Sequence, residues 1–179
     1  MKRNRPWMAL GRSNGRGFSL IEIMIALSIM GILLIAVSIS FQGWMAKHRV
    51  AAETGEVFAD IIDARARAMQ KGRATFVVLT GNGCTTFEDT DPAPDGNLTL
   101  DPGADHRVVT RTFHFPVIAK LTGGTTFTAF GFNRNGFASI SGVVHLHSTL
   151  HPDVDCISIG PTRVKLGRYD DATNTCIEQ

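Results

Sequence analysis

The chain has 179 residues, of which 18 are Lys or Arg and 16 are Asp or Glu, for a formal charge of +2. Five of the basic residues, Lys2, Arg3, Arg5, Arg12 and Arg16, stand in the first 17 positions with no acidic residue among them, so positions 18–179 hold 13 basic against 16 acidic side chains, a balance of −3. That excludes reading the overall basicity as the footprint of a nucleic-acid partner; beyond a long amino-terminal helix, the roughly 105 residues that remain suffice for one small domain.

Residues 15–41 read GRGFSLIEIMIALSIMGILLIAVSISF, and from Ile23 to Ala46 no residue is charged. A helix of that length extends about 36 Å at about 1.5 Å per residue, against about 30 Å of bilayer hydrocarbon. The sequence therefore predicts a transmembrane helix over residues 18–46. The five basic residues ahead of it place that end in the cytoplasm and the rest of the chain in the periplasm. A secretory signal carries its small cleavage-site residue after the apolar core. Here Gly17 comes before the core, so cleavage after Gly17 would discard residues 1–17 and keep the apolar run as the new amino terminus. Glu22 is the anomaly, because an intramembrane carboxylate is costly and marks a functional pairing. Cleavage would create its partner, the free α-amine of Phe18 on a neighbouring copy.

Gly17-Phe18-Ser19-Leu20-Ile21-Glu22 resembles the prepilin signature of type IV pilins and type II secretion pseudopilins. In that family a membrane prepilin peptidase cuts after the glycine and methylates the new terminal residue, here Phe18, and the glutamate in the place of Glu22 helps bring subunits into register in a filament. The resemblance implies a minor pilin or pseudopilin anchored in the bacterial inner membrane. Its partners would be the prepilin peptidase, other minor pilins or pseudopilins and a major pilin. One departure is visible: many major pilins break the helix with a proline, and this chain has none between Pro6 and Pro92. Gly31 and Gly43 are the weak points for bending.

The helix is predicted to continue as an amphipathic one over residues 47–72, where Val50, Val57, Phe58, Ile61, Ala68 and Met69 recur at three- and four-residue spacing. Asp63 and Arg67 form a favourable i,i+4 pair on its wet side, and Gly72 ends it. Thereafter short β-rich segments alternate with turn residues. The predicted strands are Ala74–Thr80, Arg107–Phe115, Thr125–Phe132, Phe137–Ser141, Val143–Ser148, Val154–Ile159 and Arg163–Tyr169. The 26 residues from Gly81 to His106 read as a long exposed loop with a short hairpin around Asn97–Leu100. Such a loop is a natural place for partner-specific contacts. Strands without intervening helices imply antiparallel sheets. The predicted class is therefore α+β and pilin-like: a cleaved leader over 1–17, a spanning helix, its amphipathic continuation, and a periplasmic antiparallel β-sheet or β-sandwich domain over 73–179.

Phe130-Gly131-Phe132-Asn133-Arg134-Asn135-Gly136 is similar to the phenylalanine and glycine turn before the last strands of H-type secretion pseudopilins and FimT/FimU minor pilins. In that family a late strand commonly carries Gly-Arg-x-Arg, and some FimT-like members bind DNA through it. Thr162-Arg163-Val164-Lys165 stands in its place, followed by Gly167-Arg168, so the resemblance makes Arg163, Lys165 and Arg168 the candidates for DNA. Asp170 and Asp171 follow immediately and offset that charge.

Three cysteines lie on the oxidising side of the membrane. Cys156 is expected to pair with Cys176, which would pin the carboxyl terminus and add about 3 kcal/mol; a link from Cys84 to one of them is the competing arrangement. His145, His147 and His151 share alternate positions, but no further ligand completes a metal spacing, and they are expected to be exposed strand residues. Asp89, Asp91 and Asp95 in the acidic loop fall short of the six to eight oxygens calcium takes. No nucleophile elbow and no phosphate-binding or dinucleotide glycine pattern is present. The sequence thus predicts no enzyme, no cofactor and no metal site.

Overall fold

Helix α1 runs from Leu20 to Lys71, 52 residues, and among the described residues is followed by nine strands. The computed structural model describes residues 17–93, 96–150 and 152–178, with the side chains of 36–40 outside that description. The leader with its five basic residues, Asp95 and His151 therefore lie outside the described residues. The chain divides into two units, residues 1–41 and 42–179.

In the first unit every described side chain from Gly17 to Ile35 is exposed, apolar ones included: Leu20 is 78% and Ile32 70% accessible. No helix is long and apolar enough to cross a membrane among the described residues. The described apolar run stops at Ile35, short of the about 20 residues that a crossing takes. A span over 18–46 remains an expectation from the sequence.

The second unit is built on the part of α1 from Gln42 to Lys71. Val50, Val57, Ile61, Ala64 and Ala68 are fully buried, and their spacing of seven, four, three and four residues puts them on one helical face. Against that face lie two antiparallel sheets. The first has the order β3 (His106–Thr112), β2 (Gly83–Glu88), β1 (Thr75–Thr80), β5 (Ala129–Phe132). The second has the order β4 (Val117–Leu121), β6 (Gly142–Leu146), β7 (Cys156–Ile159), β8 (Val164–Asp170), β9 (Thr175–Glu178). Val77, Leu79, Phe130 and Phe132 from one sheet and Val144, Leu146, Ile157 and Ile159 from the other complete the core. Gly72, at φ +68°, closes the helix in the left-handed conformation that glycine adopts freely.

A second, polar row on α1 fixes the first sheet. Glu53 accepts the backbone N–H groups of His114 and Phe115 and lies 2.8 Å from His114 Nδ1. Asp60 pairs with Arg111 at 2.6 Å. Buried Glu88 on β2 takes Lys71 on both oxygens at 2.8 Å, with Arg67 at 3.6 Å. The expected Asp63–Arg67 pair is formed, at 2.6 Å. The one misplaced member of the apolar stripe is Met69, 48% exposed; it lies under the turn at Gly136, where an added Cβ would come within 2.7 Å of its sulfur.

Several strand expectations need correction. The loop Gly81–His106 begins with β2, which pairs with β1 through a two-residue turn at Gly81-Asn82. Its inward side chains are Cys84, Thr86 and Glu88, polar or small, so no apolar alternation announces it. The rest of that loop is ordered by buried carboxylates: Asp89 accepts the N–H groups of Asn97 and Leu98, and Asp105 those of Thr90 and Asp101. That arrangement replaces the hairpin expected around Asn97–Leu100. Phe137–Ser141 is a strap held to β5 by a single bridge, Phe132 with Ala138, and Thr125–Thr128 is likewise not part of β5. β4 and β9, five and four residues long, are absent from the sequence expectations.

Candidate functional site

The amino-terminal segment places three sequence-singled residues within six positions. Gly17, Phe18 and Ser19 precede the helix, and the Ser19 carbonyl accepts the N–H groups of Glu22 and Ile23 at 3.0 and 3.2 Å to start it. The Gly17–Phe18 bond therefore stands in exposed, non-helical backbone, which is what a peptidase requires, and Phe18 is 77% accessible. Glu22 falls in the first helical turn, where the helix dipole favours an anion. Its side chain is exposed and, among the described residues, makes no ion pair. The segment thus presents an exposed peptide bond at the head of the helix and, four residues further on, an exposed carboxylate.

The carboxyl-terminal basic residues are not brought together. Lys165 and Arg168 alternate to opposite faces of β8, because Lys165 is paired in register with Ser158 and Arg168 with Ile177. Lys165 is ion-paired with Glu178. Arg163 lies in the turn before the strand, its carbonyl accepting the Gly160 N–H at 2.8 Å. Asp170 is held below the usual carboxylate range by the Thr173 hydroxyl and the Ala172 N–H, so it stays anionic beside them.

Cys156 and Cys176 form the expected disulfide, with Cα atoms 6.0 Å apart. It links β7 to β9 across the intervening β8, and the crossing passes over Gly167: a Cβ there would lie 2.9 Å from the Cys176 sulfur and 2.3 Å from the Ile177 carbonyl oxygen. Cys84 is free and buried under the helix. Burial first, then the Asp60 charge, pushes its thiol up to about 12, so it is protonated and a poor nucleophile.

The expectation of exposed histidines fails at His145, which is 4% accessible. Its ring lies flat on Tyr169, centroids 3.7 Å apart and planes 13° from parallel. On this outer face of the sheet Lys120 Nζ donates to the Tyr169 hydroxyl and to Asn174 Oδ1, and Asp155 accepts the Tyr169 N–H at 2.6 Å. Burial, then the nearby Lys120 and His147, lower His145 to about 4. His147 is exposed. Among the described residues no group of three His, Cys, Asp or Glu side chains is placed to hold a metal ion.

Sequence reasoning missed the helix carboxylates Glu53 and Asp60. A signal existed: with Arg67 they recur every seven residues, one face of the helix beside the apolar one. Tyr169 and Asn174 carried no such signal, since their roles depend on a turn that only the fold closes.

Residues 12–38 match the family model described as the prokaryotic N-terminal methylation motif. The match is confined to the amino-terminal segment; residues 42–179 form an α+β domain. No curated protein sequence matches the chain. Among solved structures, the minor pseudopilin EpsH from the type 2 secretion system of Vibrio cholerae is similar at a TM-score of 0.49 and 10% identity, over 67% of this chain and 97% of that one.

Proposed function

We propose that the chain is a structural subunit of a type IV pilus or type II secretion pseudopilus, cut after Gly17 by a prepilin peptidase and methylated on Phe18. The observation that carries this reading is the methylation motif over residues 12–38 lying on an exposed scissile bond and a first-turn glutamate. Before assembly, residues 18–46 hold the chain in the bacterial inner membrane with the domain over 73–179 in the periplasm, and residues 47–72 serve as the helix that the domain packs against. On assembly the apolar helices of neighbouring subunits bundle. In that low-dielectric interior the Phe18 amine of one copy neutralises Glu22 of the next. Removing one partner from such a buried pair costs about 3–5 kcal/mol, enough to prevent docking.

The test is Glu22→Ala in a strain that assembles filaments. Normal cleavage with loss of the variant from sheared filaments is expected; normal incorporation would contradict the pairing. A deletion strain, scored for surface pili and secreted exoproteins side by side, assigns the machine. Loss of pili alone indicates the type IV pilus, and loss of secretion alone the pseudopilus.

A further inference from the structure

Two adjoining cavities open beside the carboxyl-terminal end of α1, between the loop after β2 and the turn after β5. The larger, about 500 Å³, is of mixed character and includes Arg73, Arg134 and Asn135 in its wall. The smaller, about 220 Å³, is largely apolar and includes Phe76, Phe132 and Phe137. Ala74, Leu98 and Asn133 belong to both, so the two form one groove.

The groove's chemistry is one-sided. Among the described residues no carboxylate lines either half. Among the described residues neither guanidinium has an ion-pair partner, and the Nε of Arg73 is buried without a hydrogen bond. An unpaired buried donor of a charged group is expensive. The helix end nearby offers only about half an elementary negative charge, too little for two cations. On the apolar side Leu98 is 69% and Phe137 46% accessible, two large apolar side chains left open to solvent. Their positions are fixed rather than incidental. Leu98 is held at φ 64° with its N–H on Asp89, and Phe137 by its N–H on the Asn133 side chain.

We propose that this groove docks an acidic segment of another protein, one in which a carboxylate neighbours an aromatic or aliphatic side chain. The carboxylate meets Arg73 and Arg134, and the apolar side chain covers Leu98 and Phe137. A nucleic acid fits less well, because the two cations are few and residues 18–179 carry a net −3, which repels a polyanion at longer range. A short peptide needs only local complementarity.

The test uses the full chain in detergent micelles and a fluorescent peptide with a Phe flanked by Asp residues. Comparison probes are the same peptide with Asn for Asp, with Gly for Phe, and an oligothymidylate strand. Binding of the Asp-Phe peptide is expected, weakened about tenfold or more by either peptide change and by Arg73→Gln or Arg134→Gln, the loss of a charge-assisted hydrogen bond. Arg163→Gln, outside the groove, should leave it unchanged. Because the peptide changes leave the protein intact, they decide even if an arginine variant misfolds. Equal affinity for the Asn peptide, no binding of any peptide, or tighter binding of oligothymidylate lost with Arg73→Gln would each overturn the proposal.

Discussion

The two ends of helix α1 carry apolar side chains with opposite fates. Ile32, in the first unit, is 70% accessible, whereas Ile61, in the second, is fully buried. The difference lies in what surrounds them. Between Glu53 and Lys71 the helix alternates apolar and charged faces, and each face finds a partner within the chain: two sheets for one, Arg111, His114 and Glu88 for the other. Between Leu20 and Ile35 almost every side chain is apolar, so no single face can be satisfied by one domain. A helix apolar all round calls for lipid or for other helices. Folding of this chain is thus completed in the second unit and left open in the first.

The largest expected effect separates the two directly. Ile61→Ala should cost the domain about 2–5 kcal/mol in urea unfolding, while Ile32→Ala should change it by less than about 0.5 kcal/mol. Similar losses from both would erase the distinction. Next comes the disulfide: Cys176→Ser opens a link of 20 residues and should cost about 3 kcal/mol. Gly167→Ala, which forces a Cβ against β9, should destabilise by about 1–3 kcal/mol; a neutral result in thermal unfolding would mean the crossing is not tight.

His145 sharpens the contrast from the inside, as a buried titratable group of the second unit. Its folded value near 4 lies below the ordinary 6.5, so the unfolded chain binds the extra proton. Stability from this group is complete above about pH 6.5 and falls as the pH drops towards 4, by up to about 3 kcal/mol at the acid end. His145→Phe should remove that part of the slope in a pH series of denaturation midpoints. The smallest effect belongs to the exposed Asp63–Arg67 pair, where Asp63→Asn should cost no more than about 0.5 kcal/mol.

Legibility in the sequence followed the same division. The long helix, its end at Gly72, its buried stripe and the Cys156–Cys176 link could all be read, because periodicity and spacing act locally. β2 could not, since its inward residues are Cys84, Thr86 and Glu88, whose burial is compensated by charges on a helix distant in sequence. His145 was misread because strand alternation tells which face a residue takes, and the Tyr169 ring that covers it is brought there only by the pairing of β6, β7 and β8. At the candidate site, residue order alone singles out Gly17, Phe18 and Glu22, whose roles stand as proposed. The Arg163, Lys165 and Arg168 set is not brought together, because β-strand parity sends Lys165 and Arg168 to opposite faces.

The most direct measurement is the intact mass and amino-terminal sequence of the chain recovered from producing cells that hold a prepilin peptidase. A chain that begins at Phe18 and carries one added methyl group is expected. A chain that keeps residues 1–17, or one cut on the far side of the apolar run, would contradict the central claim that this helix is retained as the assembly element.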